Sequence, residues 1–119
     1  MNREIKFRAY ANGRMWSWGE IRSEFNTWIY SGKPIMQFTG LLDKNGKEIY
    51  EGDIVGAKPK KGEYKTLICK IVFNEIYARF EAQQFWKNRK EFISLSNEHG
   101  YYDYEVIGNI FENPELLEA

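Results

Sequence analysis

The sequence predicts a mainly β chain, and three observations predict it. Aromatic residues (8 Phe, 8 Tyr and 4 Trp) make up 17% of the 119 residues, and such side chains favour pleated, half-buried strands over helices. Apolar and polar residues alternate with a period of two in several short runs. Turn signals rich in Gly and Asn separate those runs at short intervals, as in a small closed or half-closed barrel. The span from Asp53 to Phe111 has about the size of an SH3-like barrel. The expected architecture is therefore a small SH3-like barrel over about residues 50–112, with an N-terminal β-hairpin extension before it and a short helical turn after it. The corresponding division is 1–49 for the hairpin and extension and 50–119 for the barrel with its tail, the two forming one unit if the extension packs alongside.

The first element is a hairpin. Ile5, Phe7 and Ala9 alternate with Lys6, Arg8 and Tyr10. Asn12-Gly13 follows, a two-residue turn signal because both residues tolerate positive φ. A tight turn there opposes Ala9 to Trp16 and Phe7 to Trp18, and it puts all four on one face with Ile5. Residues 19–34 fit neither period: a strand over 27–30 and a short helix both accommodate Phe25, Trp28, Ile29 and Tyr30, and Ser31-Gly32-Lys33-Pro34 ends the stretch.

Residues 35–39 read as a strand leading to the turn Asn45-Gly46. A two-residue register there would oppose Lys44 to Lys47 and Asp43 to Glu48, and like charges directly opposite are unfavourable, so the register stays open. Glu51-Gly52-Asp53 turns the chain into Ile54-Val55. Residues 66–73 form a β-branched, apolar strand, and Ala78, Phe80 and Ala82 alternate with Arg79, Glu81 and Gln83 in the next. Residues 92–95 make a short strand or turn, and 104–111 the last strand. Asn113-Pro114 suits an N-cap and first helical position for one terminal turn.

Composition narrows the function classes. Formal net charge is zero, which removes the strongly basic nucleic-acid binder as the default. Charge is nonetheless unevenly spread: residues 58–70 carry five Lys against one Glu, and residues 94–119 carry six acids and no Lys or Arg. Such a split can pair two copies head to tail or steer a charged partner, although charge runs are usually solvated. One cysteine, Cys69, cannot form an internal disulfide or a structural zinc site. The start has no apolar h-region, no run reaches the roughly 20 apolar residues that span a bilayer, and a cytosolic protein without a membrane partner is the expectation.

Candidate chemistry is sparse. Glu51 and Asp53 flank Gly52, and paired carboxylates can serve acid–base work or a hard cation, but Gly-Asp at a strand start is ordinary turn chemistry. His99 sits in a polar loop with no identifiable nucleophile or orienting acid. Cys69 lies in an apolar strand, where a thiol is inert. Gly40, Gly46 and Gly52 match no phosphate-loop motif. No catalytic or metal site, and no cofactor, is expected.

Basic residues beside aromatics form three groups: Arg8, Arg14, Trp16 and Trp18; Lys58, Lys60, Lys61, Tyr64 and Lys65; and Phe85, Trp86, Lys87, Arg89 and Lys90. Stacking platforms beside basic grooves are how single-stranded nucleic acid is held. The residues carrying that alternative are Lys58, Lys60, Lys61 and Lys65. The bland reading makes Trp16, Trp18 and Trp86 core residues with lysines on the rim.

Two long motifs, Phe38-Thr39-Gly40-Leu41-Leu42-Asp43-Lys44-Asn45-Gly46-Lys47-Glu48-Ile49-Tyr50-Glu51-Gly52-Asp53-Ile54-Val55 and Tyr104-Glu105-Val106-Ile107-Gly108-Asn109-Ile110-Phe111-Glu112-Asn113-Pro114-Glu115-Leu116-Leu117, together with the opening Ile5-Lys6-Phe7-Arg8-Ala9, make the chain resemble the YopX family of small phage and prophage proteins. The segments 25–35 and 84–102 depart from that pattern. The resemblance implies a phage- or prophage-encoded protein of the bacterial cytoplasm, mostly β, with an SH3-like barrel. It supplies no catalytic residue. The functional expectation is a non-enzymatic interaction or self-assembly module, partnered by a second copy or by a phage or host protein; the alternative is a nucleic-acid-binding accessory protein.

Overall fold

The structure, a computed structural model, describes residues 4–62, 64–86, 89–95 and 101–118, with the backbone alone at residues 85, 86, 89–91 and 94. It is mainly β. The predicted hairpin forms from β1 (Phe7–Ala11) and β2 (Arg14–Trp16) in the expected register, Ala9 opposite Trp16. Asn12 (φ 53°) and Gly13 (φ 79°) hold the two positive-φ positions of the turn, the geometry whose twist matches the flanking strands. Phe7 meets Trp18 as expected, with ring centroids 5.9 Å apart, but Trp18 is no longer in the strand. Ile5, placed by its alternation on the buried face, is 61% exposed.

The chain leaves the sheet at Ser17 because a helix starts there. The Ser17 N–H donates to Glu20 Oε1 at 3.0 Å, and Ser17 and Glu20 form a reciprocal capping box. Helix α1 (Trp18–Ile21), a 3₁₀ turn (Arg22–Glu24) and helix α2 (Phe25–Tyr30) follow. The strand option at 27–30 is thus replaced by helix. Phe25 and Trp28 explain it: three apart on one helix face, Phe25 stacks on Phe7 (5.0 Å) and Trp28 packs tilted against Trp16 (5.4 Å), so the helix rests both rings on the hairpin.

Strand β3 (Ile35–Leu42) pairs with β1 and with β4 (Glu48–Tyr50), giving a four-stranded sheet in the order β2-β1-β3-β4. Leu42 opposes Glu48, so Asn45-Gly46 lies inside a loop of residues 43–47 and the repulsive pairing of like charges does not arise. The second sheet has five strands: β5 (Asp53–Pro59), β6 (Leu67–Asn74), β7 (Arg79–Trp86), β8 (Arg89–Ser94) and β9 (Tyr102–Asn109), in the order β8-β7-β6-β5-β9. Strands β5 to β8 form a meander and β9 returns beside β5. Among the described residues β8 and β9 do not pair, so the curled sheet is a half-barrel rather than a closed one.

The core lies between the sheets. Val55, Ala57, Cys69, Ile71 and Ala82 project from alternate positions of β5, β6 and β7 and meet Ile49 of β4, with Leu41, Ile93, Tyr104 and Val106 around them. A fully buried Ile or Val contributes about 1.5–3 kcal/mol. At the C-terminus a 3₁₀ turn (Pro114–Leu117) follows Asn113 and packs against β6, while Phe111 stacks on Tyr10 at 4.9 Å. No helix among the described residues is long and apolar enough to cross a membrane.

Candidate interaction surfaces

Two carboxylates that sequence reading treated as turn residues join the sheets. Asp53 is 2% exposed; its Oδ1 accepts from Arg8 Nη2 at 2.7 Å and its Oδ2 from the Tyr50 N–H at 2.7 Å. Burial pushes the Asp53 carboxyl above its ordinary range, and the Arg8 charge only partly offsets this. The Arg8 guanidinium also lies 4.6 Å over the Tyr50 ring. Glu51, by contrast, turns to the Gln37 N–H, so the two carboxylates serve different structural partners and do not converge. Asp43 is the second clasp. Its Oδ1 accepts from the N–H groups of Asn45 (2.8 Å) and Lys47 (2.9 Å), and its Oδ2 from that of Val106 on β9 (2.9 Å). Burial pushes the Asp43 carboxyl up, but the donors from Val106, Lys47 and Asn45 outweigh it and hold the carboxyl below its ordinary range.

The first basic–aromatic group is committed internally. Arg8 is tied to Asp53. Arg14 lies 3.5 Å over the Trp16 ring and donates to Glu20; with Ser17, it holds Glu20 down to about 2. Trp18 packs edge-on to Phe25 at 5.2 Å.

The second group is displayed on the surface. Lys58, Lys60, Lys61 and Lys65 are all exposed, spread over the end of β5 and the loop beyond it. Tyr64 (72% exposed) lies among them, and Tyr101 (82%) is fastened alongside by a hydrogen bond from the Lys60 N–H to its carbonyl at 2.8 Å. The acidic stretch 94–119 meets this region: Lys58 opposes Asp103 across the β5–β9 ladder, Lys60 Nζ is 3.9 Å from Asp103 Oδ1, and Lys44 pairs with Glu105 at 3.1 Å. Part of the charge split is therefore paired within the molecule. The third group has its strand ends, Trp86 and Arg89, at this same end of the sheet; Lys87 and the side chains of Phe85, Trp86, Arg89 and Lys90 lie outside the described residues, as does His99.

Cys69 is fully buried, and burial pushes its thiol up to about 11. Among the described residues no three of His, Cys, Asp and Glu gather as a metal-binding group. A depression of 430 Å³ is lined by Arg22, Ser23, Glu24, Phe25, Asn26 and Thr27, one continuous stretch that brings no groups together from separate elements.

A further exposed surface is apolar. At the far end of the sheet from the lysines, the β6–β7 hairpin tip exposes Ile76 (87%) and Tyr77 (67%). The tip is braced. Asn74 Oδ1 accepts from the N–H groups of Ile76 (2.9 Å) and Tyr77 (3.2 Å), and Asn74 Nδ2 donates to Glu81 Oε1 (2.8 Å). Glu81 is almost fully buried and accepts from Arg79 Nε at 2.6 Å, and the Arg79 guanidinium lies 5.0 Å over the Tyr77 ring. Ala78 closes the turn at φ 52°, a left-handed conformation unusual for a residue with a Cβ. The available signal was Asn74-Glu75-Ile76-Tyr77, a turn with two large apolar residues where turns are normally polar.

Comparison with known proteins agrees with the sequence motifs. A solved protein, EF1440 from Enterococcus faecalis, is similar over 98% of this chain and 100% of its own, at 25% identity and a TM-score of 0.49. No curated protein matches. The family model for the YopX protein matches residues 3–118, nearly the whole chain, and the chain belongs to the YopX family.

Proposed function

We propose that this chain is a non-enzymatic self-assembly module that docks on a second copy through the β6–β7 hairpin tip. The supporting observation is the pair Ile76 and Tyr77, two large apolar side chains held outward on a braced turn. Holding an anchor in place before contact lowers the ordering cost of association, and tyrosine is enriched at interface hot spots. Zero net charge leaves two copies without net repulsion. A lipid surface is the poorer fit, because Glu75 is exposed at the tip and Arg79 is already engaged by Glu81.

Sedimentation velocity over a micromolar concentration series tests this reading. The wild type should show a concentration-dependent dimer, and Ile76→Ser with Tyr77→Ser should be monomeric. A wild type that stays monomeric throughout, or a double variant that dimerises equally, overturns it. The finer reading of the five-stranded unit as SH3-like rests on its meander with β9 returning to β5. Action in the bacterial cytoplasm as a phage- or prophage-encoded protein belongs to the same proposal, supported by the family membership.

A further inference from the structure

We infer that the lysine-rich end of the five-stranded sheet is a single-stranded nucleic-acid site, separate from the hairpin tip. Three features of the fold carry it. The chain brings the second basic–aromatic group to one end of the five-stranded sheet: Lys58 at the end of β5, and Lys60, Lys61, Tyr64 and Lys65, all exposed, on the way to β6. The β5–β9 ladder then adds Tyr101, far away in sequence, by the Lys60 N–H bond to its carbonyl. Finally, Gly62 turns the loop at φ 86°, a conformation that favours glycine, and its missing side chain leaves room for the exposed Tyr64 ring, whose Cε2 would lie 2.6 Å from a Cβ on residue 62.

The result is two exposed phenol rings and four exposed ammonium groups at one end of the sheet. Nucleobases stack on aromatic rings without regard to sequence, and lysines follow the phosphates. Duplex DNA is a weaker fit, because its bases are already stacked and the rings would find only backbone. Asp103 lies 3.9 Å from Lys60 Nζ, a half-exposed and weak pair in the free protein. A phosphate arriving at Lys60 must compete with that carboxylate, which lowers affinity and leaves Lys58, Lys61 and Lys65 as the principal cations.

The test is fluorescence anisotropy of the full chain with labelled single-stranded and duplex oligonucleotides at several salt concentrations. Single strands should bind more tightly, with affinity falling linearly on a log–log salt plot at about 0.7 per phosphate contacted. Replacing Lys58, Lys60, Lys61 and Lys65 with Gln should flatten that slope. Tyr64→Leu with Tyr101→Leu should weaken binding roughly tenfold at unchanged slope, because stacking releases no counterions. Absence of binding at low salt overturns the site. So does equal binding of duplex and single strand, or of inorganic polyphosphate, with the tyrosine variants unaffected. These surface substitutions leave the hairpin tip intact, so the result is independent of self-assembly.

Discussion

Arg8 Nη2 lies 2.7 Å from Asp53 Oδ1, a contact between β1 of the four-stranded sheet and β5 of the five-stranded sheet that is almost wholly withdrawn from water. Breaking one partner of such a pair leaves a buried charge uncompensated. Arg8→Ala should therefore cost about 3–5 kcal/mol in urea unfolding, whereas Arg8→Met combined with Asp53→Leu should recover much of that loss. Because Ile49 of the four-stranded sheet shares one core with β5, β6 and β7, both variants should still melt in one transition, followed by tryptophan fluorescence and by far-ultraviolet dichroism. Separate transitions for the two probes would show that the sheets unfold independently.

Asp43 and Asp53 respond to acid with opposite signs. The folded carboxyl of Asp43 is depressed, so its stabilisation is present above the ordinary aspartate value of about 3.9 and is lost as pH falls through the folded value. Asp53 is raised, so its contribution is present below the ordinary value and is lost as pH rises through the folded one. Asp43→Asn should flatten the acid decline of the urea midpoint, and Asp53→Asn should steepen it. Parallel pH profiles for the two variants would contradict the hydrogen-bonding described for Asp43.

Ala78 holds a left-handed conformation that costs a residue with a Cβ about 1–2 kcal/mol. Glycine removes that strain while adding freedom to the unfolded chain. Ala78→Gly should raise stability by about 0.5–1 kcal/mol and loosen the tip, so the variant should be harder to unfold yet self-associate less tightly. Calorimetry and sedimentation read the two effects separately.

Cys69 should be silent towards an aromatic disulfide reagent in the folded chain, since the thiolate is the reactive form and burial pushes the thiol up to about 11. Labelling should follow unfolding, its rate rising with urea in step with the loss of structure. Rapid labelling in plain buffer would contradict its placement between the sheets.

The local parts of this fold were legible in the sequence. Asn12-Gly13 and its flanking alternation gave the first hairpin and its register, and the strand signals from Asp53 onward gave the five-stranded unit. The helices at 18–21 and 25–30 were not fixed by the period of the apolar residues, which left strand and helix open; the signals that favour helix are the capping box Ser17-Trp18-Gly19-Glu20 and the helical spacing of Phe25, Trp28 and Ile29. The crowding of aromatics there hid the period. What could not be read was pairing across distance. Arg8 finds Asp53 and Asp43 finds Val106 only through sheet packing, and no local preference announces either. The lysine patch was readable as composition, but its partner Tyr101 was not. At the hairpin tip, Asn74-Glu75 marks a bend, but the exposure of Ile76 and Tyr77 follows from the fold rather than from any local preference.

The clasp of residues 43 and 44 on β9 has a consequence for how copies of this chain could join. Lys44 N–H occupies the Tyr104 carbonyl at 2.9 Å, and Asp43 takes the Val106 N–H. These are backbone groups through which another strand would extend the sheet on that side. Extension by β-pairing is thus blocked at the middle of β9, across residues 104–106, whatever happens at β8. A sheet that can grow in one direction only terminates as soon as it meets its own kind. Strand-to-strand association through this sheet would therefore close at a pair and could not propagate into a fibre.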